Sequence, residues 1–316
     1  MICSGQDVFN YLSSEATKED PGESSHWKKY NKNLKFCGDD FDGVYGFGSD
    51  AKPYKGIKKF LHHMMQHKYR KMGESFPEFS SIDKISRTLA KKQDRAYSLD
   101  VLRQALTVGL LKQHVDFESQ LEKLNVCVIG DGFATMTSLV QSYKGVEITF
   151  MVNLTKTLMV DLWYLKKHIG EEEFNSSVKV VTDKESLEQV INSRNDNRKL
   201  IIALQAKHNN LLEYCPIDLA INVASMQEMH PDIVADYFSH LRKVSEKRAV
   251  LFYCCNREEK TLPGGEVVRF MEYPWQENDE ITVDELCPWH QQYYVLKPPR
   301  YMNYDGPIRH RLVKLN

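Results

Sequence analysis

An open α/β fold, with a mostly parallel sheet covered by helices on both faces, is the architecture this sequence predicts for residues 121–316. Three observations carry the prediction. From residue 125 onward, short apolar runs alternate with stretches of helical pattern. The runs are apolar nearly throughout, as strands buried on both faces must be. The first run stops at a glycine turn followed by a segment that can be helical, "NVCVIGDGFATMTSLV" (125–140).

The expected strands are 126–130, 146–153, 178–181, 200–204, 219–225 and 249–255. Between them "TLMVDLWYLKKHI", "SLEQVINSR" and "PDIVADYFSHLRKV" read as helices. In the tail, "EVVRFMEYPW", "QQYYVLK" and "IRHRLVKL" lack a helical pattern and read as late antiparallel strands joined by long loops. Residues 1–120 form a helical N-terminal region, expected to cap the site or make a homodimer contact. Within it 38–50 reads as a loop, and 54–72 as a helix with a basic face. A second helix opens on Ser98 as N-cap, with Leu99, Leu102, Leu106 and Leu110 at three-to-four spacing.

Composition narrows the function. A chain of 316 residues, 42% hydrophobic and 27% charged, can bury a sizeable core. A formal net charge of −1 leaves no basic excess, so no nucleic-acid partner is expected. No apolar run approaches the ~20 residues of a membrane span. The first 20 residues lack a basic n-region and an apolar h-region, so a cytoplasmic location is expected. The seven cysteines include no Cys-x-x-Cys pair; Cys127, Cys254 and Cys255 sit in strand-like runs and read as small core residues. His63 and His67 share a helix face but have no obvious third ligand, and no metal is expected.

Open α/β sheets bind ligands at the carboxyl ends of their strands, where Gly130 and Gly132 lie. Read as GxGxxG, the turn places Thr135 where a dinucleotide site needs glycine. Read as GxGxG with a small last residue, it gives Gly130, Gly132 and Ala134, which suits a methyl donor better. Asn153 closes the second strand where a carboxylate is commoner, and its amide can both donate to and accept from a ribose. A plain strand-end asparagine is the alternative. The strand "LAINVAS" ends near Ser225, and Pro231 suits the first turn of a helix. Gln227, Glu228, Met229 and His230 therefore occupy the carboxyl edge. Glu228 or His230 is the candidate general base and Gln227 a group that orients the acceptor; alternatively His230 caps the helix and Glu228 pairs with a lysine. Asn256 and Arg257 end the next strand, able to grip hydroxyls or phosphate, or to form a solvated turn. "LPGGE" (262–266) is a candidate flap hinged at Gly264 and Gly265, and Arg309 and Arg311 are expected on the open face of an edge strand.

The segments "IDLAINVASMQEMHPDIVADYF" (217–238), "LFYCCNREEKTLPGGEVVRFMEYPW" (251–275) and "YDGPIRHRLVKL" (304–315) resemble a bacterial family of sugar O-methyltransferases. The resemblance spans about residues 120–316. It implies a Rossmann-like sheet, S-adenosyl-L-methionine (SAM) as cofactor, and a sugar, nucleotide-sugar or glycan hydroxyl as acceptor. It implies a cofactor set of Gly130, Asp131, Gly132, Phe133, Ala134, Asn153, Leu154, Gln205, Asn222 and Ser225, and it brings Tyr304, Asp305 and His310 toward the acceptor beside Asn256 and Arg257. Val128 and Asn153 depart from it, standing where acids are commoner. Two other classes compete: an NAD-dependent oxidoreductase, and a binding protein on the same fold without activity.

Overall fold

A computed structural model describes residues 1–36, 41–42, 52–119, 121–194 and 198–316. Cys37 and the expected loop at 38–50, apart from Phe41 and Asp42, lie outside them. Among the described residues, nine strands form one sheet: β1 (Ile2–Cys3), β2 (Leu124–Ile129), β3 (Val146–Asn153), β4 (Val178–Val181), β5 (Leu200–Gln205), β6 (Leu219–Val223), β7 (Val250–Arg257), β8 (Glu280–Leu286) and β9 (Ile308–Leu315). Their order is β1-β4-β5-β3-β2-β6-β7-β9-β8. The six from β4 to β7 are parallel. β9 runs antiparallel between β7 and β8. The chain leaves β2 for β3 on one side and later reaches β6 on the other, so the crevice of a switch point opens at the carboxyl ends of β2, β3 and β6.

The described helices are α1 (Gln6–Glu15), α2 (Ser25–Asn31), α3 (Gly56–Gly73), α4 (Phe79–Lys92), α5 (Leu99–Leu111), α6 (Thr135–Gln141), α7 (Thr155–Ile169), α8 (Glu171–Ser177), α9 (Lys184–Asn192) and α10 (Pro231–Ser245); α3 and α4 pack on α5. Ser98 caps α5 as expected, accepting from Val101 N–H at 3.3 Å. The period of two in a strand divides the core. Val126, Val128, Leu219 and Ile221 face one layer with Leu102, Leu106 and Leu139; Cys127, Ile129 and Ala220 face the other with Tyr237 and Leu241. α5, from the N-terminal region, thus covers one face of the sheet, and β1 pairs with β4 at its edge. The core continues across residue 120, because without α5 that apolar face would meet water.

Two tail expectations change. Residues 280–286, expected as loop, form β8, which sequence pattern hides because nearly every position is exposed. β9 is consequently interior: Arg309 and Arg311 are not on an open edge but both pair with Asp284 of β8, at 2.9 and 2.6 Å. The expected strands at 266–275 and 291–297 shorten to Val267–Arg269 and Gln292–Leu296, each in a two-stranded ribbon. No helix among the described residues is long and apolar enough to cross a membrane.

Candidate active site

The turn after β2 is built from left-handed residues. φ is +69° at Gly130, +65° at Gly132, +68° at Phe133 and +49° at Ala134. Glycine takes this conformation freely; phenylalanine and alanine are strained by about 1–3 kcal/mol each and persist only if held. Three clamps hold them. Asp161 of α7 accepts from Ala134 N–H at 3.2 Å and from the Asn153 amide at 2.8 Å. Gln93, after α4, donates to the Phe133 carbonyl at 2.9 Å. The Arg95 guanidinium stacks 3.7 Å over the Phe133 ring. Burial, with Asp131 nearby, pushes the Asp161 carboxyl well above the usual range. At Gly130 space is also decisive, since a Cβ there would lie 2.1 Å from Ser225 Oγ.

A chain of buried amides ties the neighbouring strand ends together. Asn222 donates to the Ile129 carbonyl at 2.9 Å and accepts from Asn256 at 2.8 Å. Asn256 accepts from Gln227 N–H at 3.0 Å, and the Gln227 side chain accepts from Arg257 N–H at 2.8 Å. Asn222 and Asn256 therefore do not line the cavity, contrary to expectation: both are fully buried, so their polar atoms must find partners within the protein.

These elements surround a cavity of about 290 Å³. Gly130, Asp131, Gly132, Phe133, Asn153, Leu154 and Ser225 line it, with Val152, Ala206, Met229, Ile233 and Tyr237 as an apolar wall. Of the expected cofactor set, Ala134 and Gln205 fall outside along with Asn222. Ala134 is core. Gln205 is wholly buried, bonded to Tyr11 and Thr155 at 2.8 Å each. Asp131 turns its carboxylate onto α6, accepting from Met136 and Thr137 N–H at 2.9 and 2.7 Å. Asn153 is already engaged by Asp161, Leu154 N–H and Thr157.

The opposite wall is charged. Glu228 lines the cavity, 2.6 Å from Lys260 and 3.4 Å from His26 Nε2. Burial raises its pKa while Lys260 opposes the rise; burial, with Lys260, lowers His26 to about 4. Gln227 also lines the cavity, but its side-chain carbonyl is committed to Arg257 N–H and its own backbone N–H to Asn256. It ties the strand ends together instead of being free to accept from an acceptor hydroxyl. Arg257 donates to the Asp305 carbonyl at 2.8 Å, and Tyr304 accepts from Arg103 at 2.7 Å. Arg103 is further held by Asp100 at 2.8 Å and by the carbonyls of Trp289 and Gln292.

Three expected residues are elsewhere. His230 is half exposed, outside the cavity lining, and caps α10 by accepting from Asp232 N–H at 3.4 Å. Its place before Pro231 turns the ring along the helix end. Asp305 offers only its carbonyl, its side chain being exposed. His310 is fully buried against Tyr253 OH at 3.0 Å, because the face of β9 that carries it packs under α5.

The N-terminal region supplies what sequence reading missed. Gly22, Trp27, Arg95, Asp100, Arg103 and Gln104 line the cavity. A signal existed: Asp100, Arg103 and Gln104 sit three and four apart in an otherwise apolar helix, a polar stripe the core does not need. The "LPGGE" segment docks on α2, where Gly264 N–H donates to Ser25 Oγ at 2.9 Å.

No family's sequence profile matches the chain, and no curated protein matches it. Solved structures do. Magnesium protoporphyrin IX methyltransferase from Synechocystis with bound SAM is 9% identical, covering 83% of this chain and 99% of its own at a TM-score of 0.37. Mitomycin 7-O-methyltransferase is 10% identical, covering 83% and 69%, TM-score 0.33. The methyltransferase domain of bacterial CtHen1 is 14% identical, covering 69% and 100%, TM-score 0.35. The functional reading therefore rests on the residues of the cavity itself.

Proposed function

We propose that this chain is a SAM-dependent methyltransferase acting on a hydroxyl oxygen, with a sugar, a nucleotide sugar or a glycan end as acceptor. One observation carries the reading: the left-handed glycine turn and the largely enclosed carboxylate of Glu228 open into the same cavity. Counted from the glycine strand with β4 set aside, the sheet order is 3-2-1-4-5-7-6 with its seventh strand reversed. A dinucleotide fold keeps 3-2-1-4-5-6, so the order speaks against the oxidoreductase, as does Thr135 at the third glycine position.

The residues present fit the cofactor. Gly130, Asp131 and Gly132 bring backbone to the cavity, and the Asp131 side chain turns away to α6. Val152, Leu154, Ala206, Ile233 and Tyr237 offer an apolar wall for an adenine, and Asn153 is the polar group at the second strand's end. When bound, SAM supplies an electrophilic methyl group. The protein's part is alignment, which can supply ~7–11 kcal/mol, and removal of the hydroxyl proton, typically ~10²–10⁴-fold. Glu228 suits the proton removal. Burial moves its pKa toward neutrality, while Lys260 keeps the charged form accessible and, with His26, fixes the carboxylate's place. Asp100, Gln104, Tyr304 and Trp27 form a polar and aromatic wall suited to a polyhydroxylated acceptor. α2 and the N-terminal region act as the cap over this side.

Calorimetry with S-adenosylhomocysteine and, separately, NADH tests the reading. Heat with the first alone supports it; heat with NADH alone, or with neither, overturns it. Transfer of labelled methyl to a panel of sugars and nucleotide sugars then identifies the acceptor.

A further inference from the structure

Behind the charged wall, three buried side chains with ligand atoms converge. Those of Cys255, Cys287 and His290 all lie within 4.8 Å of one another. Cys255 and Cys287 are fully buried, and His290 is only 6% exposed. The trio is assembled by the sheet. Cys255 lies in β7, directly opposite His310 of β9, and Cys287 follows β8 with its N–H on the Ile308 carbonyl of β9 at 2.8 Å. The segment Cys287-Pro288-Trp289-His290 then closes a tight turn, His290 N–H donating to the Cys287 carbonyl at 3.1 Å. That Cys-x-x-His turn places two ligand residues beside a cysteine contributed from across β9.

A second observation points to a ligand. His290 Nε2 is buried and has no hydrogen-bond partner. Leaving a polar atom so is unfavourable, and a ligand would remove that cost. His290 also lines the cavity. Nitrogen and two sulfurs suit a thiophilic, tetrahedral ion. Zn–S and Zn–N bonds of about 2.3 and 2.1 Å put ligand atoms roughly 3.5–3.8 Å apart, so the trio needs to contract by at most about 1 Å. Two thiolates also neutralise a divalent ion, which makes the buried site electrically tolerable.

We propose that Cys255, Cys287 and His290 bind one zinc ion, with its fourth position open toward the cavity wall at His290. Three protein ligands and one open position describe a zinc site that receives a water or a substrate atom. Binding of the ion stands by itself; a role for the fourth position in holding the acceptor oxygen rests on the methyl-transfer reading.

The test is titration of the full-length, fully reduced protein with Co²⁺, followed by competition with Zn²⁺. The expected result is a thiolate-to-cobalt charge-transfer band with tetrahedral visible absorption, saturating at one equivalent and abolished by zinc. Cys287→Ser and Cys255→Ser each lose the band, His290→Ala weakens cobalt binding at least about tenfold, and Cys215→Ser retains the band. Absence of a band in the reduced wild-type protein overturns the proposal even if the variants do not fold. So does a band that survives both Cys255→Ser and Cys287→Ser. Binding of S-adenosylhomocysteine is read separately by calorimetry, so failure of the cofactor assignment leaves the cobalt result intact, and the reverse.

Discussion

The two walls of the cavity are built on different principles. The glycine-turn wall is mainly backbone, and the polar side chains on and behind it are consumed in holding the turn: Asn153 pairs with Asp161, and Asn222 with Asn256. The opposite wall carries Glu228, Lys260, Arg257, Arg103 and Asp100, drawn from both ends of the chain. One wall can recognise a ligand by shape and main chain, the other by charge. A fixed cofactor and a variable acceptor would make those two different demands.

The sharpest way to break the comparison is Gly130→Ala. The substitution needs a left-handed alanine whose Cβ collides with Ser225. Binding of S-adenosylhomocysteine should fall by at least about 100-fold, about 2.7 kcal/mol, in calorimetry, while β7–β9 and the charged wall stay folded by circular dichroism. Next, Glu228→Gln should cut turnover by about 10²–10⁴-fold and leave that binding unchanged. A loss of cofactor binding in Glu228→Gln would erase the distinction between the walls. In the wild type, turnover should rise with pH as Glu228 ionises, from a midpoint above the usual glutamate value because burial raises its pKa.

A smaller effect separates scaffold from chemistry. Asp161 has its carboxyl pKa raised by burial and by Asp131. A raised folded-state pKa gives stability that is complete below the unfolded value, about pH 4, and is lost as pH rises through the folded one. Asp161's own share of the stability should therefore fall from acid toward neutral pH, so the advantage of wild type over Asp161→Asn in denaturant unfolding should shrink across that range. The smallest effect belongs to His230→Ala: turnover unchanged and stability lowered by no more than about 1 kcal/mol, the cost of a weak cap. A large drop in turnover would return His230 to the site.

Legibility in the sequence followed the range of the interactions. All six parallel strands were visible as apolar runs, and so was the turn that ends the first. The cap at Ser98 was legible because capping is decided within three residues. β8 was not, because its brief Ile281–Val283 alternation is broken by Asp284 and Glu285 and buries almost nothing, and with it went the interior position of β9. Among the residues lining the cavity, Gly130, Gly132, Ser225 and Glu228 were legible from their place at strand ends. Asn222, Asn256 and His310 shared that placement yet point into the core, and Asp100, Arg103 and Trp27 came from a region expected only as a cap, in which local pattern singles out no cavity partner on the sheet.

By itself, the sequence determined the layered α/β architecture and the edge at which a ligand can bind, since strand pattern, glycine turns and helix starts are written in neighbouring residues. Only the tertiary structure decided which polar groups at that edge face the cavity. A buried amide or carboxylate pairs with whatever the fold brings beside it, and those partners, such as Asp161 for Ala134 or Lys260 for Glu228, lie 27 and 32 residues away.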